Sequence, residues 1–180
     1  DSGPSSANAT FSEGEENLLC LLLDRQIDLG ILLGGKVFHG SDALAGNLGH
    51  LPLLAAGPLC PICHQRGCLS SLAAPDLFPA PDRPLGDPAA LADALEILAR
   101  QLVMLFDPDA LMLAGELPSL HPSLRDCATK GVQAARKLGH NAELLALAVP
   151  LDAPAMGACG LILDAAFDSF PLSTSAALSA

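Results

Sequence analysis

Nine residues, CPICHQRGC at 60–68, hold three cysteines and a histidine. Two chemistries use such a cluster. Cys60-Pro61-Ile62-Cys63-His64 has the form of a haem-attachment pentapeptide, whereas Cys60, Cys63 and Cys68 are also three thiolates awaiting a fourth zinc ligand. Haem requires an exported chain, a covalent thioether link and an apolar or aromatic pocket. Residues 1–10, DSGPSSANAT, have neither a basic nor an apolar region of the kind that directs export, and Phe is the only aromatic type in the chain. The bland alternative is three free thiols that merely pack. Zinc is favoured because a structural site wants four tetrahedral N or S donors. Cys60 and Cys63 have knuckle spacing, and Gly67 permits the bend that returns Cys68. The fourth donor is His64 or His50. His64 directly follows a ligand cysteine, so its ring is expected to point away. His50, ten residues before Cys60 and next to Gly49, can fold over the site and is the expected ligand.

These residues need a scaffold. LLCLLL at 18–23 reads as a buried strand, and IDLGILL at 27–33 as a second. Gly34-Gly35 is a hairpin signal, and Lys36 to Gly40 begins the return strand. Residues 74–88, APDLFPAPDRPLGDP, contain five prolines and read as an irregular connection. Asp87-Pro88 has the form of an N-cap followed by Pro in the first helical turn. Leu91, Leu95, Leu98, Leu102 and Leu105 keep helical spacing up to Phe106. ALMLA at 110–114 is a short strand, 119–138 a helix closed by Gly139, 143–149 a strand and 154–168 a last helix. A strand meander followed by alternating helices and strands predicts an α/β fold with a mixed sheet covered by helices. The expected organisation is a single domain over 1–170, with the metal loop at 50–68, and a flexible tail at 171–180.

Composition narrows function. The net charge is −11, with nine scattered Lys and Arg, so this segment supplies no basic patch for nucleic acid. No apolar run reaches the roughly 18 residues of a membrane span, and a cytoplasmic location is expected. The lone Cys20, Cys127 and Cys159 read as small core residues, as do Met104 and Met112. His39 and His121 read as surface residues and His140 as a helix-end residue. Arg136 and Lys137 suit the C-terminal end of their helix dipole.

GKVFHGSDALAGNLGH followed by CPICHQRGCL resembles the signature of the ROK family of repressors and sugar kinases. That signature contains A-G-E-x-G-H and C-x-C-G-x-x-G-C-x-E. Here the first piece is Ala45-Gly46-Asn47-Leu48-Gly49-His50. The second has one extra residue between its first two cysteines, His64 in place of Gly, and Ser70 in place of the closing Glu. FDPDALMLAGEL at 106–117 and AMGACGLILDAA at 155–166 also resemble family segments. The resemblance implies the C-terminal lobe of the ribonuclease-H-like, or actin-like, ATPase fold. It implies structural zinc on His50, Cys60, Cys63 and Cys68, and a sugar ligand held by Asn47, His50 and Ser70.

It also implies where phosphate would bind. ROK kinases carry G-T-G-x-G-x-G between the first two strands, where this chain has Asp24-Arg25-Gln26-Ile27-Asp28-Leu29-Gly30. Glycines let backbone N–H groups approach a triphosphate, and carboxylates repel it. A later triple glycine stands as Ala114-Gly115-Glu116. ATP and Mg²⁺ are therefore not expected as cofactors, and phosphotransfer is not expected. If the chain is a kinase, Asp1, 23 residues before Asp24, occupies the place of its catalytic Asp; otherwise it is a solvated end. The reading is a sugar-sensing and oligomerisation domain of a transcriptional regulator. Its partners are a small sugar and either a second copy or an N-terminal lobe, with DNA and membrane outside its reach. The alternatives are a hexose kinase and a zinc-stabilised assembly module without ligand.

Overall fold

The structure is a computed structural model that describes residues 17–23, 27–73, 88–115 and 122–146. It contains β1 (Leu18–Leu23), β2 (Ile27–Leu33), β3 (Lys36–Val37), α1 (Leu69–Ala73), α2 (Pro88–Phe106), β4 (Ala110–Ala114), α3 (Pro122–Arg136) and β5 (Glu143–Ala146). Expectations on 1–16, 24–26, 74–87, 116–121 and 147–180 lie outside the described residues. They include Asp1, Asp24, Asp87, Glu116, His121, Cys159 and the helix at 154–168.

The five strands form one mixed sheet in the order β3-β2-β1-β4-β5. β1 pairs antiparallel with β2, Leu18 opposite Leu32 and Leu23 opposite Ile27. β1 also pairs parallel with β4, and β4 with β5. The central position of β1 explains its uniform composition: all six residues are buried, as a strand with neighbours on both edges and cover on both faces requires. Gly34 and Gly35 take φ of 55° and 71°, the left-handed pair that a tight hairpin demands.

Alternation sorts the sheet residues. Leu19, Leu21, Leu23, Ile27, Leu29, Ile31, Leu111 and Leu113 share one core with Leu91, Leu95, Leu98 and Leu102 of α2 and Leu124, Ala128 and Val132 of α3. Cys20 and Met112 are fully buried, while Cys127 is half-buried. Met104 departs from expectation, at 44% exposed. The buried residues of α2 cluster around Leu91, Leu95 and Leu98, and Met104 falls with Ile97 on the other side of the helix. Leu105 keeps the spacing of the buried leucines yet is 77% exposed in the last helical turn.

The lower end of the sheet is fastened by polar contacts. Asn17 N–H donates to Asp109 Oδ2 at 2.9 Å, and Asn17 Oδ1 accepts from Gly34 N–H at 3.0 Å. Asp109 N–H donates to Asn17 O, and Glu143 N–H to Asp109 O. Together these tie β1, the hairpin turn, β4 and β5. His140, just beyond α3, pairs its Nδ1 with Asp107 Oδ1 at 2.6 Å.

Candidate metal centre

The segment that carries the cysteines is irregular but extensively hydrogen-bonded. Leu53 N–H donates to Gly67 O, Leu69 N–H to Leu51 O, and Ser70 N–H to Gly49 O. These contacts lay 49–53 alongside 67–70. Inside this frame, Cys60 N–H donates to Gln65 O at 2.8 Å and His64 N–H to Cys60 O at 3.0 Å, closing the knuckle. Gly67 has φ +68°, and a Cβ there would run into the Leu54 carbonyl. Only glycine fits both demands. The bend that returns Cys68 therefore depends on this residue.

The fold brings His50, Cys60, Cys63 and Cys68 to one point, with one donor atom from each lying within 4.8 Å of the others. Cys60 Sγ is 3.5 Å from His50 Nδ1, and Cys63 Sγ is 3.3 Å from Cys68 Sγ. A tetrahedral zinc with Zn–S near 2.3 Å sets sulfurs roughly 3.8 Å apart. The Cys63 and Cys68 sulfurs are about 0.5 Å closer than that spacing, and three thiols with one imidazole are a zinc donor set. The residues present fit the ion. His64 stands apart: it is exposed, and its φ of 57° is left-handed.

The electrostatics of two thiols differ. Cys60 is pulled down to about 6, chiefly by the Cys63 backbone N–H, with burial opposing and the Ile62 N–H assisting. Cys68 is pushed up to about 12, first by burial and then by Cys63. The knuckle thus presents a ready thiolate at Cys60, whereas Cys68 must release a proton to coordinate.

Asn47 and His50 are exposed, and Ser70 is half-buried. All three surround Gly49. A Cβ on Gly49 would lie 2.7 Å from Ser70 Oγ and 3.7 Å from Asn47 Oδ1, so both side chains reach the same side of that backbone. Ser70 belongs to α1, an element that sequence patterning missed because five residues are too few to show a period. Its start is secured by Cys68, whose carbonyl accepts from Ser71 Oγ at 2.7 Å and from Leu72 N–H at 3.1 Å.

Asp28 lies one strand away. It forms a bridge with Asn47, and its neighbour Leu29 donates its N–H to Gly46 O at 2.8 Å. Its Oδ2 is buried without a hydrogen-bond partner, and burial raises its pKa above the ordinary carboxylate value. Sequence reasoning noted its charge but not its burial.

The ROK family model matches residues 5–78, a stretch that includes β1 to β3, the metal segment and α1. N-acetylmannosamine kinase of Vibrio cholerae is 39% identical over 57 residues, covering 32% of this chain and 20% of that protein. The xylose repressor of Bacillus subtilis is 23% identical over 176 aligned positions, covering 85% of this chain and 46% of the repressor. Among solved structures, the ROK hexokinase from Thermus thermophilus superposes with a TM-score of 0.61 at 30% identity, covering 88% of this chain and 60% of the hexokinase. The chain thus spans less than half the length of these two curated relatives.

Proposed function

This is a ROK-family chain, and on that premise we propose that it is the sugar-sensing and oligomerisation domain of a transcriptional regulator rather than part of a working kinase. The observation that carries the proposal is Asp28. It stands where ROK kinases carry a phosphate-loop glycine, with Oδ2 buried and unpartnered. A carboxylate offers only acceptors and negative charge to a triphosphate. The adjacent Leu29 N–H is already used by Gly46 O, so it is not free to hold phosphate.

In this reading zinc supplies structural cross-linking only. His50, Cys60, Cys63 and Cys68 hold it, and that fixes Asn47 and Ser70 on the same side of the Gly49 backbone. Asn47 and Ser70 hydrogen-bond sugar hydroxyls, and His50 completes the set. Sugar binding favours one arrangement of the loop over another, and a second copy or the remaining lobe reads the difference. DNA contact belongs to a part of the regulator outside this chain, in keeping with its charge of −11.

A kinase reading rests on the 39% and 30% identities to a sugar kinase and a hexokinase; it requires MgATP and a hexose. One experiment separates the readings. Thermal unfolding is followed with glucose, xylose or N-acetylmannosamine, with and without MgATP, while ADP production is monitored. A sugar at about 100 times its Kd should add about 2.7 kcal/mol, which is several degrees in Tm, with no ADP formed. ADP formation that depends on the sugar would establish the kinase instead. No response to any sugar would leave a zinc-stabilised assembly module.

A further inference from the structure

We propose that the cysteine cluster is a thiol switch: a hydroperoxide joins Cys63 to Cys68 as a disulfide and so expels the zinc. The inference rests on the zinc reading above. Of the three clustered cysteines, Cys60 and Cys68 are buried and Cys63 is half-buried, so Cys63 is the sulfur a small oxidant reaches. Cys68 Sγ lies 3.3 Å from it. Cys60 Sγ lies 3.5 Å from His50 Nδ1 and is also within hydrogen-bond reach of the Cys63 side chain. A disulfide of about 2.05 Å requires the Cys63 and Cys68 sulfurs to close by little more than about 1 Å. The 3.3 Å sulfur contact nominates Cys63 and Cys68 as the pair that oxidises, rather than the C-x-x-C pair that spacing alone would nominate.

The chemistry balances in two steps. The Cys63 sulfur attacks one peroxide oxygen: an S–O bond forms, the O–O bond breaks, and the other oxygen leaves as water or an alcohol after taking a proton. Cys68 sulfur then attacks the sulfenic sulfur of Cys63. An S–S bond forms, the S–O bond breaks, and hydroxide leaves as water with a proton from Cys68 or solvent. Two electrons pass from the two sulfurs to the hydroperoxide, and zinc is not oxidised. Cys60 and His50 alone are half a coordination sphere, so the ion departs. His50 is three residues from Asn47, and Cys68 two from Ser70, so the ligand-facing residues lose their shared tie.

The test uses the zinc-loaded chain and hydrogen peroxide. Zinc release is followed with a chromogenic chelator, and disulfides are mapped in tryptic peptides by tandem mass spectrometry. Arg66 lies between Cys63 and Cys68, so the proposed bond joins two peptides, whereas a Cys60–Cys63 bond stays within one. The expected result is one zinc released per Cys63–Cys68 disulfide, reversed by dithiothreitol and added zinc. Release accompanied by either bond to Cys60, retention of zinc in excess peroxide, or sulfinic acid at Cys63 without a disulfide would overturn the switch. A chain without zinc before treatment defeats the metal reading and the gating with it. The sulfur pairing is then decided separately, by the same peptide map on the metal-free chain.

Discussion

The cysteine segment and the first hairpin adjoin each other, linked where Leu29 N–H meets Gly46 O, yet they relate to their family pattern in opposite ways. The segment holds all four candidate metal donors within 4.8 Å of one another despite an inserted residue and substitutions at Asn47, His64 and Ser70. The hairpin pairs its two strands in regular antiparallel register but has Asp28 where a phosphate cradle needs glycine. The difference has a physical origin. A metal is held by a few side-chain atoms, and the backbone between them can vary provided the donors converge. A phosphate cradle is made of the backbone itself, so one side chain suffices to obstruct it.

The contrast is broken most completely at Cys68. Cys68→Ser should lower zinc affinity by more than the roughly 10–100-fold that outer-shell changes cost, with a matching fall in Tm, read by elemental analysis and thermal unfolding. Retained zinc would mean that the cluster is not the site. Next is Gly67→Ala. With φ at +68° and the Leu54 carbonyl in the way, it should cost on the order of 2–3 kcal/mol in denaturant titration. An alanine tolerated without loss would show that the bend is not what returns Cys68 to the cluster.

Proton linkage sharpens the comparison further. Cys68, at about 12, is a thiol at neutral pH, so zinc loading should release its proton, measurable by calorimetry in two buffers of different ionisation enthalpy. That thiol contributes a loss in affinity of about tenfold per pH unit as pH falls. Cys60 adds its own contribution only below about 6, so the slope should steepen there. A pH-independent zinc affinity would contradict thiolate coordination.

The smallest effect belongs to the hairpin. The raised pKa of Asp28 means that burial disfavours its charged form. The stability linked to it is present below the ordinary value of 3.8 and is lost as pH rises through the raised value. Asp28→Asn should therefore stabilise the chain at neutral pH, by less than about 1 kcal/mol because the carboxylate keeps some solvent. The gain should vanish near pH 3. Equal stability of both proteins across this range would show that the carboxylate is not under strain.

Patterning along the chain was sufficient for most of the regular elements described. Six successive apolar residues mark β1, Gly34-Gly35 marks the turn, Pro88 opens α2, and ALMLA delimits β4, because each signal is local. The types and spacing of Cys60, Cys63 and Cys68 likewise determine which donors are available. Only the tertiary structure decided how they are arranged. It brought Cys63 Sγ to 3.3 Å from Cys68 Sγ and Cys60 Sγ to 3.5 Å from His50 Nδ1. It placed Ser70 on a helix too short to have a period, left Met104 on the outer side of α2, and buried one oxygen of Asp28. Each depends on which distant segments pack together, and residue type and spacing along the chain do not contain that information.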